Sequence, residues 1–456
     1  MNLLARIGIS SILLGLACHV VACSDDASST DASPSPDGGV PTPSPPPPTP
    51  ETPDASEDGA EHLVVADPKA GKLYVYAAPD YAAPASFDVT FADHPGFLPL
   101  GNGNVAFIES TSGNLVVLHA TGTPAIVKRV PVVGTAAHLA TDEAHRYVVV
   151  SATSDDGQAR GAFTMVDLTT YESRTVRIAT GEPGLALAGS PLHLLHRNDD
   201  PAQVEAYDFT QLWPGTVAAG PKAIIGSSPH GEVIAHARKK MVSAADDGIN
   251  VVSFDNGNFG TVSAIPYDVS GRTGGRAFYA RLSADGRYLY SYLRDDGYPA
   301  AVPWSDWKND AYVVDLETQT AKRLAIGNGL AYRLADCTDY AIFVQYSPDG
   351  DFAHLLDTKA GSPTFQTFVG KVALEAMSAA PTATGSPWES KAFRIAGMLP
   401  SCDHAFATHG GDGKVSVIDP RSRSVVKQIT VPTPLDGGGY LIGIGTGTSL
   451  ADTIGR

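Results

Sequence analysis

Cysteine is scarce in this sequence, with four among 456 residues, and no two of them have the C-x-x-C spacing. The C-x-x-C-H spacing is missing too, so the usual signals of thioredoxin-like chemistry and of covalent haem attachment are lacking. There is also no G-x-S-x-G nucleophile motif and no glycine-rich phosphate loop. We therefore expect no haem and no nucleotide cofactor, and we assign no catalytic residues.

Basic residues are few, with 32 Lys and Arg against 49 Asp and Glu. Residues 24–61 contain no basic residue and nine acidic ones in a stretch rich in Pro, Ser and Thr. Such a composition buries too little apolar surface to fold, which predicts a disordered tether over residues 23–61. The acidic balance of the chain, without a basic stripe, argues against nucleic acid as a partner.

Long apolar runs are also absent. The apolar stretch 7–16 is too short to span a bilayer and predicts a signal peptide over residues 1–22. The sequence VVAC that ends at Cys23 resembles a bacterial lipobox, which implies that Cys23 is lipidated and becomes the new N-terminus. Ser24 stands where Asp would imply inner-membrane retention. We therefore expect a lipid anchor in the outer membrane, with the protein in the cell envelope facing the periplasm or the exterior.

A turn motif that carries His or Glu recurs along the rest of the chain. Its polar members are His94, His138, Glu182 and His230, at steps of 44, 44 and 48 residues. From residue 62 onward, apolar strands alternate with Gly, Asp, Asn and Pro turns. Four short strands in a period near 45 residues are typical of a β-propeller. The sequence thus predicts an all-β, single closed propeller domain over residues 62–456.

The blades can be counted from their third strands, of which eight are visible. The first unit lacks an inner strand, whereas residues 439–444 form a spare strand near the C-terminus. Joining the two would close the ring and remove two exposed sheet edges. We therefore predict eight blades of four antiparallel strands; seven remain the alternative if one unit is misassigned.

Two resemblances support this fold. The segments AYVVDL at 311–316 and VSVIDP at 415–420 resemble the secreted bacterial propellers of the YVTN and lactonase-like superfamily, over residues 62–445. That superfamily contains enzymes, scaffolds and binding proteins. The segments at 61–76 and 229–232 are similar to the periplasmic zinc-chaperone propellers of the AztD kind, which implies zinc as a ligand. Those proteins carry a His/Asp-rich N-terminal segment, whereas the tether here has no histidine.

The recurring motif also predicts a metal site. Equivalent positions of successive blades surround one axis, so His94, His138, Glu182 and His230 are candidate ligands at an axial mouth. Imidazoles and a carboxylate suit Zn²⁺ or a similar divalent ion. Glu232 is expected to orient an imidazole or to replace Glu182. The alternatives are unconnected histidines that bond to the backbone, or a binding pocket without metal.

His404, with Asp403 and His409, is a secondary metal candidate. A possible disulfide between Cys337 and Cys402, permitted in an oxidising compartment, competes with it for Cys402.

A long loop between residues 296 and 310 carries Tyr298, Trp304 and Trp307, which we expect to be exposed as a binding loop. The alternative is that the tryptophans cap a neighbouring blade.

Three functions follow from these observations. The first is a lipid-anchored periplasmic binding propeller that holds or transfers a divalent metal, with an envelope protein or metal transporter as partner and a monomeric body. The second is a metal-free interaction scaffold that grips an envelope protein through the tryptophan loop. The third is a lactonase-like or dehydrogenase-like enzyme, which the missing catalytic motifs disfavour.

Overall fold

The structure, a computed structural model, describes residues 61–153, 160–181, 183–295, 302–381, 390–446 and 453–455. Within these ranges, eight four-stranded antiparallel sheets form the blades of one β-propeller. The α-helix α1 (Phe209–Leu212) is a single turn. The predicted all-β fold and its eight blades are confirmed. No helix of the described ranges has the length and apolar composition needed to cross a lipid bilayer.

Blade 1 combines the first three strands with the last one, and each later blade takes four successive strands. The strands of the first half are β1 (His62–Asp67), β2 (Lys72–Ala77), β3 (Ala85–Asp88), β4 (Leu98–Gly101), β5 (Asn104–Glu109), β6 (Asn114–His119), β7 (Ala125–Pro131), β8 (Thr135–Thr141), β9 (Tyr147–Thr153), β10 (Arg160–Asp167), β11 (Ser173–Ala179), β12 (Gly184–Ala188), β13 (His193–Asp199), β14 (Ala202–Asp208) and β15 (Lys222–Ile224). Those of the second half are β16 (His230–Ala235), β17 (Lys240–Ala245), β18 (Gly248–Asp255), β19 (Asn258–Ile265), β20 (Ala280–Leu282), β21 (Tyr288–Asp295), β22 (Lys308–Asp315), β23 (Thr320–Asn328), β24 (Leu330–Asp336), β25 (Tyr340–Tyr346), β26 (Phe352–Asp357), β27 (Phe368–Ala373), β28 (Ala396–Met398), β29 (Ala405–His409), β30 (Lys414–Asp419), β31 (Ser424–Thr430) and β32 (Tyr440–Ile444).

The ring closes as the sequence predicts. Strand β32 is the inner strand of blade 1 and pairs antiparallel with β1, which places His62 opposite Ile444. The spare strand near the C-terminus therefore completes the blade that lacks one.

The core lies between neighbouring blades. Because each sheet is covered on both faces, its middle strands are mostly buried, completely so in β1, whereas the outer strand β31 buries one residue of seven. Large side chains fill the space between blades, among them Phe107, Phe163, Phe343 and Phe406, none of which is measurably exposed. The burial of apolar side chains between the blades is the dominant favourable contribution to the stability of the fold.

The turns repeat with the blades. Gly71, Gly113 and Gly413 occupy the same turn between the second and third strands of blades 1, 2 and 8, with φ of 62–63°. This left-handed conformation favours glycine. A Cβ on Gly413 would lie 2.6 Å from the Thr433 carbonyl oxygen. In blade 8 the turn therefore requires glycine on steric grounds as well.

Residues 453–455 lie along the inner edge of β8. Ile454 forms an antiparallel bridge with Ala140, and the Thr141 amide donates to the Thr453 carbonyl at 2.8 Å. Thr453 and Ile454 are both only 1% exposed.

The two cysteines of the propeller form a disulfide bond. Cys337, between β24 and β25, and Cys402, between β28 and β29, have Cα atoms 5.5 Å apart. The bond connects blades 7 and 8.

Candidate functional site

The N-terminal ends of the inner strands meet at one end of the ring, which we call the axial mouth. His94 precedes β4 of blade 2, and His138 lies in β8 of blade 3. The two imidazole rings are 5.1 Å apart between centroids and tilted by 63°. The structure thus brings together two of the predicted metal ligands from adjacent blades.

Irregularities in two inner strands position the polar groups here. The register of β8 shifts between Ala136 and His138, and that of β16 shifts between His230 and Glu232. Such bulges redirect side chains. The second one contains Gly231 at φ 54°, where a Cβ would lie 2.6 Å from a backbone oxygen of the next blade. As a result, His138 Nδ1 lies 3.4 Å from Glu232 Oε1.

Glu232 is the most firmly held group of the mouth. Its side chain is 1% exposed, and its Oε2 accepts a hydrogen bond from Arg197 Nε at 3.0 Å. Its Oε1 accepts one from the Leu185 amide at 3.2 Å. Arg197, with no exposed side-chain surface, also donates from Nη1 to the Pro229 carbonyl at 2.6 Å. Glu232 therefore links blades 3, 4 and 5 and contacts His138.

The other predicted ligands have a different placement. His230 packs its ring against Phe278 of the following blade, with centroids 5.9 Å apart. Glu182 lies outside the described residues. Within the described ranges, no group of three or more His, Cys, Asp or Glu side chains is arranged to hold a metal ion.

The opposite half of the mouth is aromatic and cationic. The Arg294 guanidinium lies 5.1 Å from the Phe278 ring, 5.4 Å from Trp307 and 5.9 Å from Tyr332. A cavity of about 210 Å³ lies at the axial mouth, and His94, Tyr332 and Arg333 are among the residues that line it. The axial mouth therefore combines the imidazoles of His94 and His138 with the Arg294 guanidinium, which lies among aromatic rings.

The tryptophan loop does not form the exposed surface that the sequence predicts. Trp304 is 9% exposed and Trp307 is 1% exposed. They pack against Leu330 and Phe393, and Trp307 Nε1 donates to the Val302 carbonyl at 2.9 Å. The expected exposure is wrong for both residues, because their rings fill apolar space between blades. Tyr298 lies outside the described residues.

The secondary metal site is not assembled. His404 Nδ1 bonds to the Tyr81 hydroxyl at 2.7 Å, and Asp403 pairs with Arg421 at 2.8 Å. His409 is fully buried, with Nε2 2.7 Å from the Ser416 hydroxyl. Each group has a partner of its own, so these contacts give the secondary metal prediction no support.

The buried His409 predicts an acid-dependent loss of stability. Burial, helped by Arg394, lowers the pKa of His409 to about 4, against about 6.5 in an unfolded chain. Below pH 6.5 the unfolded state takes up the proton first, so the free energy of unfolding falls between pH 6.5 and 4. We expect His409 to contribute about 1–2 kcal/mol to the loss between pH 7 and pH 5. Urea unfolding of wild type and of His409→Gln at both values measures it; equal losses would contradict the assignment.

Several residues that lie at the axial mouth were not identified by sequence analysis. Arg197 and Arg333 lie in strands and belong to no motif. The aromatic half does have a signal, because the 48-residue step from Glu182 to His230 leads next to Phe278. A further step of 48 residues past His230 reaches Phe278, which indicates that an aromatic residue takes the place of histidine at this part of the axial mouth.

Solved structures share this fold at low sequence identity. Apo AztD from Citrobacter koseri has a TM-score of 0.59 and 13% identity, over 86% of this chain and 99% of the other. Dihydro-heme d1 dehydrogenase NirN in complex with DHE has a TM-score of 0.59 and 14% identity, over 85% of this chain and 76% of the other. No protein-family model matches the sequence, and no curated protein does. The likeness shows the propeller fold alone.

Proposed function

We propose that the chain is a binding propeller that holds a divalent metal ion, zinc in the first place, at the axial mouth and passes it on. The observation that carries this proposal is the pair His94 and His138, with rings 5.1 Å apart and Glu232 behind the second. The sequence segments similar to the AztD kind imply the same ligand.

The residues fit this ion. A metal-binding histidine usually bonds through its other ring nitrogen to a carboxylate, as His138 Nδ1 does toward Glu232 Oε1. The metal would then face Nε2 of His138 and the ring of His94, with Glu182 as a further predicted ligand. Fewer than four protein ligands leave positions open to water or to an acceptor. Such a site suits transfer better than permanent structural binding.

We further propose that a lipid on Cys23 and the acidic tether 23–61 hold the propeller at the outer membrane, where a metal transporter or another envelope protein receives the ion. The lipobox and the composition of residues 24–61 support this arrangement. The mass of the mature N-terminal peptide tests it, because an unmodified Cys23 would contradict it. The burial of Trp304 and Trp307 removes the surface on which the scaffold alternative depends.

Metal titration tests the site directly. We expect the purified protein to bind one zinc ion per chain, and His94→Ala/His138→Ala to bind it at least about a hundredfold more weakly, since each imidazole contributes at least about tenfold. Calorimetry with Zn²⁺ and the visible spectrum with Co²⁺ measure this, while circular dichroism verifies the fold.

His119→Ala is the matched control. His119 bonds to Asn104 in blade 2, away from the mouth, and its removal should leave metal affinity unchanged. The proposal fails if the wild type binds no metal or if the double variant binds it as tightly.

A further inference from the structure

Arg333 has an unusual backbone conformation for a large residue. It lies in the inner strand β24, where the register shifts between Ala331 and Leu334, and its φ is 63°. Residues other than glycine adopt this left-handed region at a cost, and such strain concentrates at functional sites. The bulge aims the guanidinium into the cavity at the axial mouth.

Aromatic groups hold that guanidinium in place. It lies 4.5 Å from the centre of the Tyr440 ring, 5.7 Å from Tyr332 and 5.8 Å from Tyr279. Its Nη2 donates to the Tyr440 hydroxyl at 2.9 Å. Burial raises the pKa of Tyr440, so that hydroxyl keeps its proton and can donate it in turn.

The charges that line the cavity do not balance. Among the described residues, Arg333 and Lys69 form no ion pair with a carboxylate, and Asp93 has no cationic partner. Asp436 also lines the cavity but pairs with Lys391 at 3.4 Å. The unpaired groups therefore leave one net positive charge, which favours a ligand with a single negative charge.

Size and lining restrict the ligand further. The cavity of about 210 Å³ also exposes Tyr332, Phe393 and Tyr440. An apolar cavity of about 150 Å³ accommodates benzene. There is room for one aromatic ring and a small acidic group, and a planar guanidinium matches a carboxylate in a two-point contact.

We propose that this cavity binds a small aromatic monocarboxylate, whose carboxylate contacts Arg333 and the Tyr440 hydroxyl and whose ring lies among Tyr332 and Phe393. This binding goes beyond the proposed metal function because it needs no metal, although the cavity shares His94 with the proposed metal site.

Phenylacetate and its neutral analogue phenylacetamide are the probes, titrated by calorimetry against the full protein in the presence of a chelator. We expect phenylacetate to bind about tenfold to a hundredfold more tightly, the effect of a charge-assisted hydrogen-bonded pair. Arg333→Gln should remove this preference and leave phenylacetamide binding unchanged. Arg333→Lys should restore part of it, because the charge remains without the two-point geometry.

Two further variants separate binding from folding. Arg333→Gly should lose the preference while circular dichroism shows an unchanged fold, since glycine adopts φ 63° without strain. Arg421→Gln, which alters an exposed arginine of blade 8, should bind both probes as the wild type does. Equal affinity of the wild type for both probes, no binding of either, or a preference that survives Arg333→Gln would overturn the proposal.

The metal proposal is tested separately. His138 does not line the cavity, so His138→Ala should weaken zinc binding and keep the preference for phenylacetate. Loss of that preference in His138→Ala, with Arg333 intact, would count against an independent carboxylate site.

Discussion

Glu232→Gln is expected to lower the free energy of unfolding by about 3–5 kcal/mol, the largest single-residue effect that the structure suggests. The change removes the carboxylate charge that lies 3.0 Å from Arg197 Nε, at a place where neither side chain is more than 1% exposed. Moving such a charge out of water costs several kcal/mol, and the pair offsets that cost only while both members are present. Urea unfolding at pH 7 measures the difference.

A double variant identifies the cause. Arg197→Met/Glu232→Gln removes both charges, so we expect its stability to return toward that of the wild type. Glu172→Gln serves as control, because the Glu172 side chain is 60% exposed and its pairing with Arg174 is solvated. An ordinary polar contact, rather than a buried ion pair, would be indicated if the double variant were less stable than Glu232→Gln.

Loss of the Cys337–Cys402 disulfide is expected to cost about 4 kcal/mol. The bond closes a loop of 65 residues, and the chain-entropy model assigns roughly this value to a loop of that length. Reduction, or Cys337→Ala/Cys402→Ala, should therefore shift the urea midpoint to lower concentration.

The comparison of reduced wild type with the double variant controls for the substitutions themselves. Both should unfold at similar urea concentrations, and added reductant should not change the unfolding of the variant. If the reduced and oxidised wild type unfold alike, the bond does not constrain the unfolded chain as the model assumes.

The fold could be predicted from the sequence because its signals are local. Turn glycines such as Gly71 and Gly413 repeat with the blades, and the strands between them alternate or run apolar. Ring closure by β32 followed from counting, since one unit lacked a strand and one strand lacked a unit. These signals need no knowledge of contacts between distant residues.

The site could be predicted only in part, because side-chain direction at the mouth depends on bulges. The period places His94 and His138 at equivalent positions, yet the shift at Ala136 turns His138 toward Glu232, two blades away. Nothing around Arg333 in the sequence indicates that its strand is irregular. Trp304 and Trp307 follow a stretch rich in Pro and Ala, and only their packing partners, distant in sequence, make them core residues.

The position of the segment 453–455 affects how a solute could move along the axis of the ring. A propeller axis is often a tunnel with two ends, through which a solute could pass. Here the Thr453 carbonyl accepts from the Thr141 amide, and Ile454 forms a bridge with Ala140. The segment extends along β8 as far as Gly455, where a Cβ would lie 2.6 Å from the Pro95 carbonyl oxygen, beside His94. Because this segment lies along the inner edge of β8, we expect it to narrow the axial passage and to favour entry and exit through the axial mouth. Any molecule that docks over that opening would then control both loading and release.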